Sequence, residues 1–180
     1  MVYLFLANGF EEVEALCPLD LLRRAGVEVT TVGIGTDNPC SSHGICVQAD
    51  ISEIMYRDNA PEMIILPGGM PGAENLDNSK TVNTAISCAV KRGAYIAAIC
   101  AAPMVLGKRG LLEGRRATCF PGFEEYLTGA VIEQNVGVVK DQNFITGKGM
   151  GVALEFGLTL VECLKGKDKS ESIRKSIQAV

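Results

Sequence analysis

No CxxC pair occurs in this 180-residue chain, although it carries seven cysteines. A zinc knuckle or a thioredoxin-type redox turn needs that spacing, so neither is expected. The cysteines stand singly, at Cys17, Cys40, Cys46, Cys88, Cys100, Cys119 and Cys163. Their odd number argues against a disulfide framework and predicts mostly buried free thiols, because an unpaired cysteine behaves as a small hydrophobe. A basic stripe is missing as well. Arg23-Arg24 and Arg115-Arg116 are short pairs in a chain of formal net charge −4. Nucleic-acid partners, which require neutralised phosphates, are not expected. Long apolar runs are absent. The longest uncharged stretch, Ala94 to Gly107, is broken by Pro103 and falls short of the roughly 20 residues that span a bilayer, so no membrane partner is expected. The N-terminus has no positive segment and meets Glu11, Glu12 and Glu14 directly after its apolar start. It does not read as a secretory signal, and a cytoplasmic location is expected. Histidine is down to one residue, His43.

What is present is an ordinary globular composition, 47% hydrophobic and 21% charged, in a length that suits one domain over residues 1–180. Strand-like and helical runs alternate. Val2–Leu6 reads as a strand ending at Asn8-Gly9. A helix follows over about Glu11–Ala25, stopped by Gly26. Val27–Gly33 and Met63–Leu66 read as strands, the second closed by Pro67-Gly68-Gly69. Val82, Ala85, Ile86, Ala89 and Val90 form an apolar stripe at helical spacing, with Asn78 or Ser79 to cap it and Gly93 to end it. Tyr95–Ile99 reads as a strand buried on both faces, and Ala101–Gly107 starts a helix. Val136–Thr146 reads as a hairpin turning at Asp141-Gln142-Asn143. Gly149–Leu164 reads as a helix apolar nearly all round, followed by a charged surface helix from Lys165. Strands separated by helices pair in parallel through right-handed crossovers. The expected architecture is a three-layer α/β/α sandwich with a mostly parallel central sheet. Its sites should lie in the loops beyond the carboxyl ends of the strands, after Leu6, Leu66, Ile99 and Thr146.

Those loops hold the unusual residues. Cys100 stands where a strand stops and a helix begins. That position presents the thiol at the sheet rim, where a helix N-terminus favours thiolate and supplies amide donors for an oxyanion. The arrangement resembles a nucleophile elbow with Cys in place of Ser. A buried structural cysteine is the plainer reading. Gly68 and Gly69 permit close backbone approach, and the amides of Gly69 and Ala101 are candidates for an oxyanion hole. Pro-Gly-Gly also serves as a simple tight turn. Glu14 lies four residues before Pro18, which has no N–H, so the helix is expected to kink or begin irregularly there. A buried carboxyl at Glu14 would stay protonated and could donate to sulfur. His43 forms a Cys-His pair only if its loop folds onto Cys100; a surface role is the plainer one. Gly147-Lys148-Gly149-Met150-Gly151 is neither a dinucleotide fingerprint nor a P-loop, and reads as a turn passing close to the site.

Glu11-Glu12-Val13-Glu14-Ala15, Leu66-Pro67-Gly68-Gly69, Ala97-Ala98-Ile99-Cys100-Ala101-Ala102-Pro103 and Gly151-Val152-Ala153-Leu154-Glu155-Phe156-Gly157-Leu158 together resemble the ThiJ/PfpI superfamily. The resemblance is strongest to the branch of the parkinsonism-associated protein deglycase and its bacterial homologues. It implies a flavodoxin-like sandwich, a homodimer and no cofactor. It implies Cys100 as nucleophile, Glu14 as the carboxyl bonded to it, Gly69 and Ala101 as oxyanion contacts, and Arg24 near a dimer-related pocket. Such proteins are described as glutathione-independent glyoxalases, as deglycases of glycated amines and thiols, and as oxidative-stress proteins or chaperones. Two departures stand out. Peptidase-like relatives carry His directly after the nucleophile, where this chain has Ala101. The deglycase has His before the proline of its next strand end, where this chain has Phe120-Pro121. His43 falls near a position often held by Arg. A cysteine hydrolase using His43 remains an alternative to aldehyde chemistry and to oxidation sensing.

Overall fold

The computed structural model describes residues 1–179. Its first strand, β1 (Val2–Ala7), is buried along its whole length. Successive strand side chains point to opposite faces. Val2, Leu4 and Leu6 therefore enter one core layer, and Tyr3, Phe5 and Ala7 enter the other. α1 (Glu12–Arg24) follows, with Glu11 as its N-cap. Gly26, at φ +75°, turns the chain toward β2 (Val29–Ile34). α1 runs through Pro18 as one continuous element.

The remaining elements are β3 (Ile51–Ser52), β4 (Met63–Leu66), α2 (Gly72–Asn78), α3 (Lys80–Arg92), β5 (Tyr95–Ile99), α4 (Pro103–Gly107), β6 (Arg116–Ala117), β7 (Val131–Ile132), β8 (Val138–Asp141), β9 (Phe144–Gly147), α5 (Ala153–Lys165) and α6 (Lys167–Ser176). Seven strands form one sheet in the order β3-β2-β1-β4-β5-β9-β8. All pair in parallel except β8 with β9, the expected hairpin at one edge. The short β6 and β7 form a separate parallel pair. One face of the sheet packs Phe5, Ile64 and Ile96 against Leu76, Ile86 and Met104 of α2, α3 and α4. The opposite face packs Leu4, Ile65 and Ala97 against Leu22 of α1 and Phe156 and Leu160 of α5. This is the three-layer, flavodoxin-like sandwich with a mostly parallel sheet that the alternation of elements predicts.

α3 keeps its predicted ends. The Val82 N–H donates to Ser79 Oγ at 3.3 Å, and Gly93 closes the helix at φ +69°. α5 departs from expectation. It buries Phe156, Gly157, Leu158 and Leu160, but Leu154, Glu155 and Glu162 face outward. The sheet and α1 cover one side of it, and α6 covers another through Ile173 and a Ser170 hydroxyl that donates to the Leu158 carbonyl at 2.9 Å. A helix in an outer layer keeps a solvent face. Val180, the last residue of the predicted tail, lies outside the described residues. The free-thiol expectation also fails at one place: Cys40 and Cys46 are joined in a disulfide. The chain folds back between them into a short antiparallel bridge that sets the two residues opposite each other, a proximity that cysteine spacing alone does not disclose.

Candidate functional site

Cys100 is the first residue beyond β5, and it adopts φ +64°. A residue with a β-carbon is disfavoured there by about 1–2 kcal/mol. Hydrogen bonds on both sides of the residue hold this conformation. The Cys100 N–H donates to the Gly147 carbonyl at 2.9 Å, and the Cys100 carbonyl accepts the Phe120 N–H at 2.9 Å. The side chain is turned back over the loop that follows β4. There the amides of Gly69 and Ala101 lie near enough to its sulfur to favour the charged form. Gly69 and Ala101, the two candidate oxyanion donors, are thus both neighbours of the thiol.

Glu14 reaches the same point from α1. It is only 1% exposed, and its Oε2 accepts the Gly68 N–H at 3.1 Å. Its carboxyl also lies beside the Cys100 thiol and the Met150 N–H, both of which favour its charged form. Gly68 is the spacer that makes this meeting possible. A β-carbon at Gly68 would stand 2.5 Å from Cys100 Cβ and 2.6 Å from Glu14 Oε2. At Gly69, φ is +84°, and a β-carbon would press within 2.5 Å of the Glu11 nitrogen. The two glycines have distinct tasks: the first admits two reactive side chains, and the second admits the backbone of the loop after β1.

Burial pushes the Glu14 carboxyl up to about 7, and the nearby Glu11 charge adds to the rise, against the hydrogen bonds from Cys100, Gly68 and Met150. Burial likewise pushes the Cys100 thiol up to about 12, helped by the Glu14 charge and opposed by the Gly69 and Ala101 amides. This corrects the expectation that the helix N-terminus makes Cys100 a ready thiolate. α4 is five residues long and begins only at Pro103, and so weak a dipole is outweighed by desolvation and an adjacent carboxylate. Two groups that share a hydrogen bond lose their protons as a pair. After the first proton leaves, the second can reside on oxygen. In the small fraction of molecules where it does, sulfur bears the charge beside the Glu14 hydroxyl and the amides of Gly69 and Ala101; in the rest the more acidic carboxyl bears it.

The other predicted residues sort themselves around this centre. Phe120 is 47% exposed and, with Pro121, Lys148, Gly149, Met150 and Val152, lines a groove of about 330 Å³. A β-carbon on Gly149 would sit 3.2 Å from the Phe120 ring and 3.9 Å from Glu14 Oε1, so the glycine-rich loop after β9 does pass close to the site. A larger cavity of about 490 Å³, between Asn8, Glu53, Asn78 and Lys80, is lined by neither Cys100 nor Glu14. His43 is not turned to the thiol. It is exposed, and its Nδ1 lies 3.0 Å from Glu12 Oε1. That partner holds its imidazole above the usual pKa. Glu11, Glu12 and His43 bring three potential ligand atoms within 4.8 Å, but these groups already serve as helix cap and ion pair. Arg24 stands on the last turn of α1, at the opposite end from Glu14, and pairs with Asp20 at 2.6 Å. The Met150 amide on Glu14 and the Gly147 carbonyl on Cys100 were not foreseen individually. Their signal is the glycine run that carries them.

The DJ-1/PfpI family model matches residues 1–163. The chain is 35% identical over 175 residues to protein dj-1beta of Drosophila melanogaster, covering 96% of this chain and 93% of that one. It is 33% identical over 168 residues to the glutathione-independent glyoxalase DJR-1.2 of Caenorhabditis elegans, covering 93% and 89%. Protein DJ-1 homolog B of Arabidopsis thaliana is 38% identical over 173 residues, which make up 93% of this chain and 39% of that relative. The chain likewise spans 44% of the Arabidopsis homolog A. Among solved structures, Drosophila DJ-1beta superposes with a TM-score of 0.95 at 34% identity, covering 99% of this chain and 97% of the other. Oxidized Toxoplasma gondii DJ-1 also superposes at 0.95, with 33% identity and coverage of 99% and 98%.

Proposed function

Because this chain belongs to the DJ-1/PfpI family, we propose that it converts small reactive aldehydes to hydroxy acids without glutathione, with Cys100 as nucleophile and Glu14 as proton carrier. The observation that carries this reading is the buried pair itself: a carboxyl only 1% exposed that meets the Cys100 side chain across Gly68, where burial raises both groups above their ordinary values. Glyoxal and methylglyoxal carry an aldehyde beside a second carbonyl. Cys100 sulfur bonds to the aldehyde carbon, and the resulting oxyanion takes a proton to give a hemithioacetal. The Gly69 and Ala101 amides stabilise that oxygen. Glu14 then removes the proton from the former aldehyde carbon and returns one to the neighbouring carbon. The product is a thioester of a 2-hydroxy acid. Water cleaves it and restores the thiol. The net change is addition of one water to methylglyoxal to give lactate, so no electron acceptor is required. Attack on a glycated amine or thiol begins at the same carbon.

The same reading takes the chain as a cytoplasmic homodimer. Val13, Met150 and Leu154, exposed apolar residues beside the site, are the surface a second copy would cover. The test is lactate formation from methylglyoxal by wild type, Cys100→Ala and Glu14→Gln without glutathione. Production in the wild type alone is expected. Equal production in the Cys100→Ala control overturns the proposal.

A second reading, oxidation sensing, has its own observation. The amides that would stabilise an oxyanion lie beside the sulfur, where they would hold a sulfinate equally well. Peptide mass spectrometry after mild peroxide separates this reading from general oxidation, which would spread over all the free cysteines. The hydrolase alternative lacks support in the geometry, since His43 is engaged by Glu12 and Ala101 follows the nucleophile.

A further inference from the structure

We propose that Cys40 and Cys46 form a second redox site, a dithiol/disulfide pair that exchanges with small or protein dithiols and thereby sets the reactivity of Cys100. Cys46 is exposed and Cys40 half-buried, so a reductant reaches the bond from solvent. The pair closes a loop only six residues apart in sequence. Closing so short a loop restrains the unfolded chain less than a long-range bridge does. Its effect is local: it shapes the segment between the two cysteines.

That segment is tied to the site by a series of hydrogen bonds, most of them between backbone groups. The Cys40 N–H donates to Asn8 Oδ1 at 2.9 Å. The Gly9 N–H donates to the Cys40 carbonyl at 2.8 Å, and the Ser42 N–H donates to the Phe10 carbonyl at 2.8 Å. The loop after β1 is thereby held from outside. On its inner side the Glu11 N–H donates to the Gly68 carbonyl at 3.0 Å, and the Gly72 N–H donates to the Gly9 carbonyl at 3.1 Å. Gly68 and Gly69 are the residues whose amides reach Glu14 and Cys100 sulfur. Three loops are therefore stacked in the order disulfide loop, β1–α1 loop, β4–α2 loop. The outermost has two covalent states, which is the bistable element that coupling between distant groups requires.

The exchange balances as follows. One thiolate of the dithiol attacks Cys46 sulfur, the S–S bond breaks, and Cys40 leaves as thiolate and takes a proton. The second thiol of the reductant then attacks the mixed disulfide and releases Cys46 as a thiol. Two electrons pass from the dithiol, which becomes a disulfide, to the cystine. The freed loop relaxes its hold on Asn8, Gly9 and Phe10, and the Gly69 amide is no longer fixed on the Cys100 sulfur.

The experiment follows alkylation of Cys100 by iodoacetamide, read by peptide mass spectrometry on the full chain, so it does not depend on any enzymatic activity. Protein with the bond intact is compared with protein reduced by dithiothreitol and desalted without air. The same comparison is made for the Cys40→Ser/Cys46→Ser double variant, whose folding is checked by thermal melting. Reduction is expected to slow Cys100 alkylation by about threefold to tenfold in the wild type, as loss of one donor to a thiolate implies. It should have no effect in the double variant, which should react at the reduced rate. An unchanged wild-type rate overturns the proposal, as does an equal response in the double variant. So does recovery of both cysteines as free thiols after equilibration with a dithiol/disulfide buffer at the potential of an oxidising compartment.

Discussion

Replacing Glu14 by Gln should change how stability depends on pH, and the size of that change follows from burial. The carboxyl is raised from 4.5 to about 7 on folding. The folded state therefore binds the proton more tightly than the unfolded chain. Stability from this group is fully present below the unfolded value of 4.5, declines as pH rises, and is lost above about 7. At about 1.4 kcal/mol per unit, the full loss is about 3 kcal/mol. Glutamine keeps the shape, an acceptor for the Gly68 N–H and a donor toward sulfur, but it cannot ionise. Urea unfolding of wild type and Glu14→Gln, at about pH 5 and about pH 8, should show the wild type losing about 2–3 kcal/mol more than the variant over that interval. Cys100 does not confuse the result, because its thiol, raised to about 12, keeps its proton in all but a small fraction of molecules across that range, and the pair as a whole loses one proton. Parallel curves for the two proteins would mean that Glu14 is ionised and solvated in the folded state, and the proton-sharing pair would have to be abandoned.

The same pair predicts that alkylation of wild-type Cys100 rises with pH through about 7, whereas in Glu14→Gln the rise moves above the ordinary thiol range; coincident profiles would refute proton sharing. Gly68→Ala should nearly abolish lactate formation and lower stability by about 1–3 kcal/mol, since the new β-carbon overpacks Cys100 and Glu14; near wild-type melting and turnover would count against the spacer role. Cys100→Gly should be more stable than Cys100→Ala by about 1 kcal/mol in denaturant unfolding, because glycine accepts φ +64° without penalty; a more stable alanine variant would show the turn to be unstrained. His43→Ala should leave Cys100 alkylation and lactate formation within about twofold of wild type, as its ring is engaged by Glu12 rather than sulfur; a large loss would revive the hydrolase reading.

Much of this arrangement was legible in the chain. A strand ending at Ile99 followed by a cysteine and Pro103 implies a sharp turn at the sheet rim, and Cys100 is found there at positive φ. Of the stripe from Val82 to Val90, Val82, Ala85, Ile86 and Ala89 are buried and Val90, at its edge, is exposed; the stripe and its Ser79 cap depend mainly on neighbours along one helix, so local pattern was enough for most of it. The elements that escaped notice depend on distant partners. β3, β6 and β7 are two residues each, too short for alternation to register, and exist because another strand lies beside them. α2 is seven residues long, without a cap or stripe to mark it. The state of the Cys100 thiol was misjudged for a related reason. A helix terminus can be seen in sequence, but the desolvation and the carboxylate that outweigh it come from α1, far away in the chain. Cys40 and Cys46 likewise meet only after the loop between them has folded.

The peptide on each side of Cys100 is pinned, one to Gly147 and the other to Phe120. The residue cannot yield by turning its main chain, which leaves rotation about the Cα–Cβ bond as the sulfur's chief freedom. Anything that becomes attached there must fit within the narrow arc this rotation sweeps beside Gly68 and Glu14. The site therefore acts as a gauge for chemical probes. Compact flat electrophiles should label it readily, while bulky maleimides should label it slowly.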